Sequence, residues 1–253
     1  MKKIVVLIQA LNEEKQVQEC VQSAKLLTAT IILADQGNSD NTVTLAKKGG
    51  AKIITVPSAK YVEEMREIAI AKVDAEWICI LDADERMTKA LADEIKRAIL
   101  SNEYTSYKIP RKNIFGRKKW LKYGGWWPDF QIRLVSKTSL KSWPKQIHST
   151  PIIEGRQGYL TNPLLHFFHG DLETMVQKTI VFEQIEAELL FKALKPASTT
   201  TFHRKFLGEF SRRFFLSLGF MDGTIGILEA IYQAFSKTIT YLFLYEKKIS
   251  RSL

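Results

Sequence analysis

Cysteine is nearly absent: the 253 residues hold two, Cys20 and Cys79. Both fall in apolar patterns and read as buried thiols of a reducing compartment. Neither takes part in a metal-binding spacing. Long apolar runs are also missing. No uncharged stretch approaches the roughly 18 residues of a membrane-spanning helix. Behind Met1-Lys2-Lys3 the apolar run is only Ile4–Ile8. That is too short for a secretory h-region, and no small-residue cleavage site comes before Asn12-Glu13-Glu14, so no leader is expected. Acid is scarce beside base, 27 Asp and Glu against 37 Lys and Arg, for a net charge of +10 and a pI near 9.5. The excess favours an anionic partner: nucleic acid, a phosphorylated substrate or a membrane surface. No RNA- or DNA-binding module pattern is present, so nucleic acid is not expected. With 45% hydrophobic and 25% charged residues, the chain can bury a core as one large or two small domains.

What is present centres on Trp77-Ile78-Cys79-Ile80-Leu81-Asp82-Ala83-Asp84-Glu85. A short apolar run bounded by charge reads as a buried strand. Its C-terminal end lies where open α/β sheets keep their ligand crevices. Residues two apart on an extended segment point the same way, so Asp82 and Asp84 can converge. Such a pair suits a hard divalent cation that also binds a substrate phosphate. Equally, the acids could cap and solvate the next helix.

Around this stretch, apolar strands alternate with helical periodicity. Ile4–Ile8, Thr30–Ala34 and Ala51–Val56 read as strands. Asn12 is a candidate N-cap with Glu13 and Glu14 in the first helical turn. Gly49-Gly50 closes the second helix, Arg66 lies on the third, and a fourth spans about Thr88 to Leu100. Four strands alternating with helices predict a parallel, doubly wound α/β sheet. The expected parts are 1–102 for this half, 103–194 for a second part of the same domain, and 195–253 for a helical extension.

Residues 104–146 carry eleven Lys and Arg and a single acid, Asp129. Its basic surroundings would hold it ionised. It is a functional candidate, or else a salt-bridge partner of Arg133 or a turn residue after Pro128. Strands are expected at Tyr104–Pro110 and Phe130–Ser136. His148, His166 and His169 are candidate metal ligands or structural histidines. A helix from Asp171 to about Leu194 and a linker at Lys195–Thr201 precede the tail. There Phe206, Phe210, Phe214, Phe215 and Phe220 mix with Arg204, Lys205, Arg212 and Arg213, and Ile225 to Phe243 repeats at helical spacing before Lys247-Lys248. This suits a basic amphipathic segment at a membrane interface; an ordinary packed helical hairpin or a dimer face is the alternative.

Four segments, in order, resemble the motifs of the inverting family 2 glycosyltransferases. Ala10-Leu11-Asn12-Glu13-Glu14 resembles their nucleotide-sugar entry loop. Asp35-Gln36-Gly37-Asn38-Ser39-Asp40-Asn41-Thr42 resembles the loop after their second strand, and Asp82-Ala83-Asp84-Glu85 their D-x-D motif. Gly124-Gly125-Trp126-Trp127-Pro128-Asp129-Phe130-Gln131-Ile132-Arg133-Leu134 resembles the acceptor-side segment of a subgroup that adds hexoses to lipopolysaccharide inner core. The resemblance implies the GT-A fold: a Rossmann-like, mostly parallel sheet flanked by helices, here followed by a C-terminal amphipathic helical extension. It implies a nucleotide-diphosphate sugar, probed by Ala10, Asn12 and Glu13, with Asp35 reading the uracil and Arg66 approaching the nucleotide. Asp82 would meet ribose or metal-bound water, Asp84 would hold Mg²⁺ or Mn²⁺, and Asp129 would be the base. Glu85 is then mainly a helix-start residue. An anionic glycolipid acceptor at the cytoplasmic face of the cell membrane is implied as the partner. Gln9 and Gln36 stand where the family has Thr and Ser, and Ser149 where the subgroup has the Glu of a His-Glu pair beside His148; these departures bear on donor specificity. A nucleotidyltransferase would carry a Gly-rich, basic first loop, which Gln9–Glu14 lacks. The intact Asp82, Asp84 and Asp129 argue against a non-catalytic scaffold. A polyprenyl phosphate or protein-linked glycan is the rival acceptor.

Overall fold

The computed structural model describes residues 2–58, 63–145, 149–168 and 172–250. Two compact units divide the chain: residues 1–111 with 130–166, and residues 112–129 with 167–253. The expected boundaries after 102 and 194 therefore each fall inside a unit.

The first unit is an α/β sheet. In order it comprises β1 (Ile4–Ala10), α1 (Val17–Ala24), β2 (Ile31–Asp35), α2 (Thr42–Gly49), β3 (Lys52–Thr55), α3 (Glu63–Ala71), β4 (Trp77–Asp82), β5 (Glu85–Arg86), α4 (Lys89–Ala98) and β6 (Ser106–Phe115). The strand order β3-β2-β1-β4 is parallel throughout. The chain steps outward from β1 to β3 and then returns to the other side of β1. The switch point therefore lies at β1 and β4, where open sheets form their crevice. Alternation along the strands builds two cores. Val6, Ile8, Cys79 and Leu81 join Val17, Val21, Leu91 and Ile95 on one face. Val5, Leu7, Ile78 and Ile80 join Met65, Ala69 and Val73 on the other. Strands apolar on both faces are what a sheet covered on both sides requires, and each fully buried large aliphatic side chain contributes about 1.5–3 kcal/mol. Gly50, at φ 100°, caps α2 in the left-handed conformation. Both cysteines are wholly buried and free, and burial pushes the Cys79 thiol up to about 12.

The sheet continues as β4-β8-β6-β12-β5, with β8 (Asp129–Ser136) antiparallel to β4 and β12 (Leu164–His166) antiparallel to β5. The sheet is mixed beyond β4, and its helices flank it as in the GT-A fold. Short strands β9 (Leu140–Ser142) and β10 (Ile152–Ile153) pair with each other, and β11 (Gln157–Tyr159) adds to β6.

Two local expectations need correction. Asn12 does not cap α1: its φ is 56° and the helix begins at Val17. Glu85 does not start a helix either. It lies on β5, wholly buried, while α4 begins at Lys89 with Thr88 accepting from the Leu91 N–H.

The second unit holds β7 (Lys119–Trp120), which pairs with the end of β6, and three helices: α5 (Leu172–Lys192), α6 (Thr199–Ser211) and α7 (Thr224–Ser250). Between α6 and α7 run a π-helical turn, Arg212–Leu216, and a 3₁₀ turn, Gly219–Asp222. Helix α7 packs against both α5 and α6. Ala187, Tyr241 and Leu244 form the small buried centre. Glu183 on α5 accepts the hydroxyls of Ser236 and Thr240, and Ser198 caps α6, which shortens the expected linker. Among the described residues no helix is long and apolar enough to cross a membrane.

Candidate active site

Strand register brings the predicted residues of the first unit to one edge. Gln9 pairs with Asp82 across β1 and β4, and Ala10 pairs with Asp35 across β1 and β2. Three strand ends thus deliver Ala10, Asp35 and Asp82 side by side at the switch point.

The two loops after β1 and β2 are laced together. Asn38 Nδ2 donates to Asp35 Oδ1 at 2.8 Å and to the Ala10 carbonyl at 3.3 Å. The Asn12 N–H donates to Asn38 Oδ1 at 2.7 Å, and Asn12 Oδ1 accepts from the Ser39 N–H at 2.9 Å. The Glu13 N–H is taken by Thr42 Oγ1 at 2.8 Å and the Glu14 N–H by Asp40 Oδ2 at 3.0 Å. Polar side chains here satisfy backbone groups that a tight loop leaves without partners. On Asp35, the Gly37 N–H, the Asn38 N–H and the Asn38 amide all converge on Oδ1. Burial pushes this carboxyl up, but those hydrogen bonds outweigh it and hold it below the ordinary aspartate range. Gln36 is buried, and its Nε2 meets no partner among the described residues.

The end of β4 separates its two aspartates. Arg66 Nη2 donates to Asp82 Oδ1 at 3.1 Å, and Arg133 Nη2 reaches Oδ2. Burial raises the Asp82 carboxyl, while Arg133 first and Arg66 next bring it below the usual carboxylate range. Arg66 is itself fixed by Gln9 Oε1 at 2.6 Å and by stacking over Trp143 at 5.0 Å. Glu85 closes the network. It accepts from Arg133 at 2.7 Å, from Arg111 at 3.2 Å and from the Asp82 N–H at 3.0 Å. Buried Glu85 and part-buried Asp82 therefore both have guanidinium partners, as burial of charge demands.

Asp84, two residues on, has a different neighbour. Its side chain is 29% exposed, and its Oδ2 lies 3.4 Å from His166 Nε2. His166 gets there through the β12–β5 pairing, which sets it opposite Glu85. Sequence reasoning named His166 only as one candidate histidine; a contact made by antiparallel pairing over some eighty positions leaves no local signal. His148 and His169 lie outside the described residues. Among the described residues no three His, Cys, Asp or Glu come together as a metal cluster. Carboxylate oxygen and imidazole nitrogen are nonetheless donors that Mg²⁺ or, better, Mn²⁺ accepts, and a cation with two protein ligands keeps places for phosphate oxygens and water. The residues present fit such an ion.

Asp129 belongs to the second unit. Asn113, wholly buried, donates from Nδ2 to Asp129 Oδ2 at 3.1 Å and to the Trp126 carbonyl at 3.0 Å.

Residues 5–154 match the family described as "Glycosyl transferase family 2". The chain belongs to that family. An uncharacterized glycosyltransferase of Rickettsia typhi is 28% identical over 251 residues, 94% of this chain and 85% of that protein. The lipopolysaccharide core biosynthesis glycosyltransferase LpsC of Rhizobium meliloti is 22% identical over 94% of this chain and 90% of its own. Among solved structures, glucosyl-3-phosphoglycerate synthase of Mycobacterium tuberculosis, in complex with Mn²⁺, UDP and glucosyl-3-phosphoglycerate, superposes with a TM-score of 0.50. It shares 17% identity and the match covers 78% of this chain and 82% of that one. At that identity the superposition bears on the fold alone, which is GT-A. As a family 2 glycosyltransferase, the protein is a nucleotide-sugar-dependent enzyme, and the edge built by β1, β2 and β4 brings together the segments that resemble the family's entry loop and D-x-D motif.

Proposed function

We propose that this glycosyltransferase moves a hexose from a UDP-linked sugar to a hydroxyl of an anionic glycolipid, lipopolysaccharide core foremost, at the inner face of the cell membrane. The observation that carries this reading is the division of labour at the end of β4. Asp82 is held by two arginines, whereas Asp84, equally part-exposed, has His166 beside it. One acid orders the crevice, and the other, beside an imidazole, is the candidate for the donor's cation.

Ala10, Asn12 and Glu13 lie on the loop that would line the nucleotide. Asp35 accepts three hydrogen bonds on Oδ1, and Oδ2 is the oxygen that would accept from a uracil imide. Arg66 holds Asp82 and places cationic charge at the nucleotide crevice. Asp84 and His166 would hold Mg²⁺ or Mn²⁺, which when bound offsets the charge developing on a departing diphosphate. The reaction itself is one displacement. The acceptor oxygen forms a bond to the anomeric carbon as the bond to the diphosphate breaks, the nucleoside diphosphate leaves with the electron pair, and the configuration inverts. Asp129 takes the acceptor's hydroxyl proton as general base. The Mn²⁺ and UDP named with the mycobacterial synthase support the donor side, and the name of LpsC supports the acceptor. The basic band from Lys108 to Lys122 suits an anionic acceptor.

Mass spectrometry of lipopolysaccharide from cells with and without the gene tests the assignment. Loss of one core hexose is expected. An unchanged core removes this acceptor and turns the search to polyprenyl phosphates.

A further inference from the structure

The second unit displays an apolar turn that its own packing leaves largely exposed. Within residues 215–221, Phe215, Leu216, Leu218, Phe220 and Met221 are all exposed, Leu216 to 81% and Phe215 to 57%. Five large apolar side chains in one short turn exceed the scattered exposure normal for a soluble surface.

The turn is held in place. Asp222, at its end, is buried and accepts the N–H groups of Lys122 and Tyr123, each at 2.8 Å. The Gly124 N–H donates to the Ser217 carbonyl at 2.7 Å, and Arg213 donates to the Gly124 carbonyl at 3.0 Å. Beneath, Phe214 packs on Phe210 and Phe220 with ring centroids 5.2 and 5.7 Å apart. Gly226, on the first turn of α7, lies so close to Gly219 that a Cβ there would overlap the Gly219 carbonyl oxygen. An apolar display fixed in this way loses little conformational freedom when it is covered.

The segment docked on the turn supplies charge. Arg117, Lys118, Lys119 and Lys122 are exposed. Lys119 Nζ lies 3.9 Å from Asp222, and Lys122 and Lys112 sit over the Trp120 ring at 4.7 and 4.5 Å. Exposed apolar tips beside lysines and tryptophan are the composition of an interfacial anchor. A second copy of this chain would bring like charge against these cations, whereas an anionic bilayer complements them.

We propose that the 215–221 turn, with the cations of 117–122, is the surface by which the protein docks on an anionic lipid bilayer, the apolar tips entering the acyl boundary and the cations meeting the headgroups. The inference deepens the membrane-surface part of the proposed function and rests on it for its purpose. Each basic residue at an anionic surface raises partitioning about fivefold, so docking by these cations falls steeply with salt.

The test is sedimentation of the full chain with vesicles of phosphatidylcholine alone or with phosphatidylglycerol added, neither containing any acceptor. Expected is binding to the anionic vesicles only, reduced by salt, and reduced about tenfold or more in a Leu216→Asp/Phe220→Asp variant whose circular dichroism and melting are unchanged. Wild-type protein that stays in solution with anionic vesicles overturns the proposal, as does a variant that binds like wild type. A mass in solution twice that of the chain, halved in the variant, also overturns it, because the turn is then a self-contact. Transfer to a deacylated, water-soluble acceptor reads the transferase assignment separately; the double variant is expected to retain it.

Discussion

Arg133 Nη2 donates to Glu85 Oε1 across 2.7 Å, with side chains 4% and 0% exposed. The pair ties β8 to β5, and the same guanidinium reaches Asp82. Removing one partner of a buried pair costs about 3–5 kcal/mol when the other's charge is stranded; here Glu85 keeps Arg111 and Asp82 keeps Arg66, which puts the loss at the low end. Arg133→Leu is therefore expected to lose about that much stability in denaturant unfolding. Arg133→Leu combined with Glu85→Leu is expected to recover part of it, because the wholly buried carboxylate is gone and Arg111, 16% exposed, reaches water. A single variant as stable as wild type would remove the pair from the account of the fold.

Asp84 and His166 give a different signature, because their proposed role is to hold the donor's cation rather than to tie strands together. Asp84→Asn is expected to lower transfer by about a thousandfold, the several kcal/mol of a cation's charge stabilisation, with an unchanged unfolding midpoint. His166→Ala is expected to raise the Mn²⁺ concentration for half-maximal activity by about tenfold or more. Metal titrations of both variants check this. A His166→Ala enzyme with the wild-type Mn²⁺ requirement would take that residue out of the metal site.

These two sites also mark how far the sequence could be read. The strands β1 to β4 and the carboxylates at the ends of β2 and β4 were legible because local period and motif place them: apolar runs stop before Gln9, Asp35 and Asp82, although β1 itself runs on to Ala10. Long-range pairing was not legible. Glu85 looked like a helix-start residue because it follows two aspartates, yet two arginines from β6 and β8 draw it into the core. Asn12 looked like a cap, but the Asn38 loop holds it in a left-handed turn instead. The entry-loop partners Asn38 and Asp40 did lie in a recognisable turn-rich segment; their bonds to the loop after β1 depend on strand register.

Asp129 is expected to act through proton transfer rather than through stability. Asp129→Asn is isosteric and can still meet Asn113, so folding should persist while kcat falls by about 10²–10⁴, the usual contribution of a positioned general base. Asn113→Ala is expected to lower kcat less, since Asn113 positions the carboxylate and does not take the proton. Steady-state kinetics of the two variants with saturating donor measure the difference. Undiminished turnover in Asp129→Asn would exclude it as the base.

Glu229 on α7 gives the helical unit a pH dependence. It is 2% exposed, and burial raises its carboxyl to about 7 even though Gln233 and Arg213 pull the other way. The unfolded chain releases this proton near 4.5. Between those values the folded state binds more protons than the unfolded one, so stability falls as pH rises. The loss begins near pH 4.5, is complete above about pH 7, and amounts to about 3 kcal/mol. Glu229→Gln keeps the shape and a hydrogen bond to Gln233 but cannot ionise. Denaturant melts of α5–α7, followed by hydrogen exchange at pH 5 and pH 8, are expected to show wild type weaker at pH 8 and the variant nearly level. Equal slopes with pH in both proteins would mean that Glu229 titrates no differently in the folded chain.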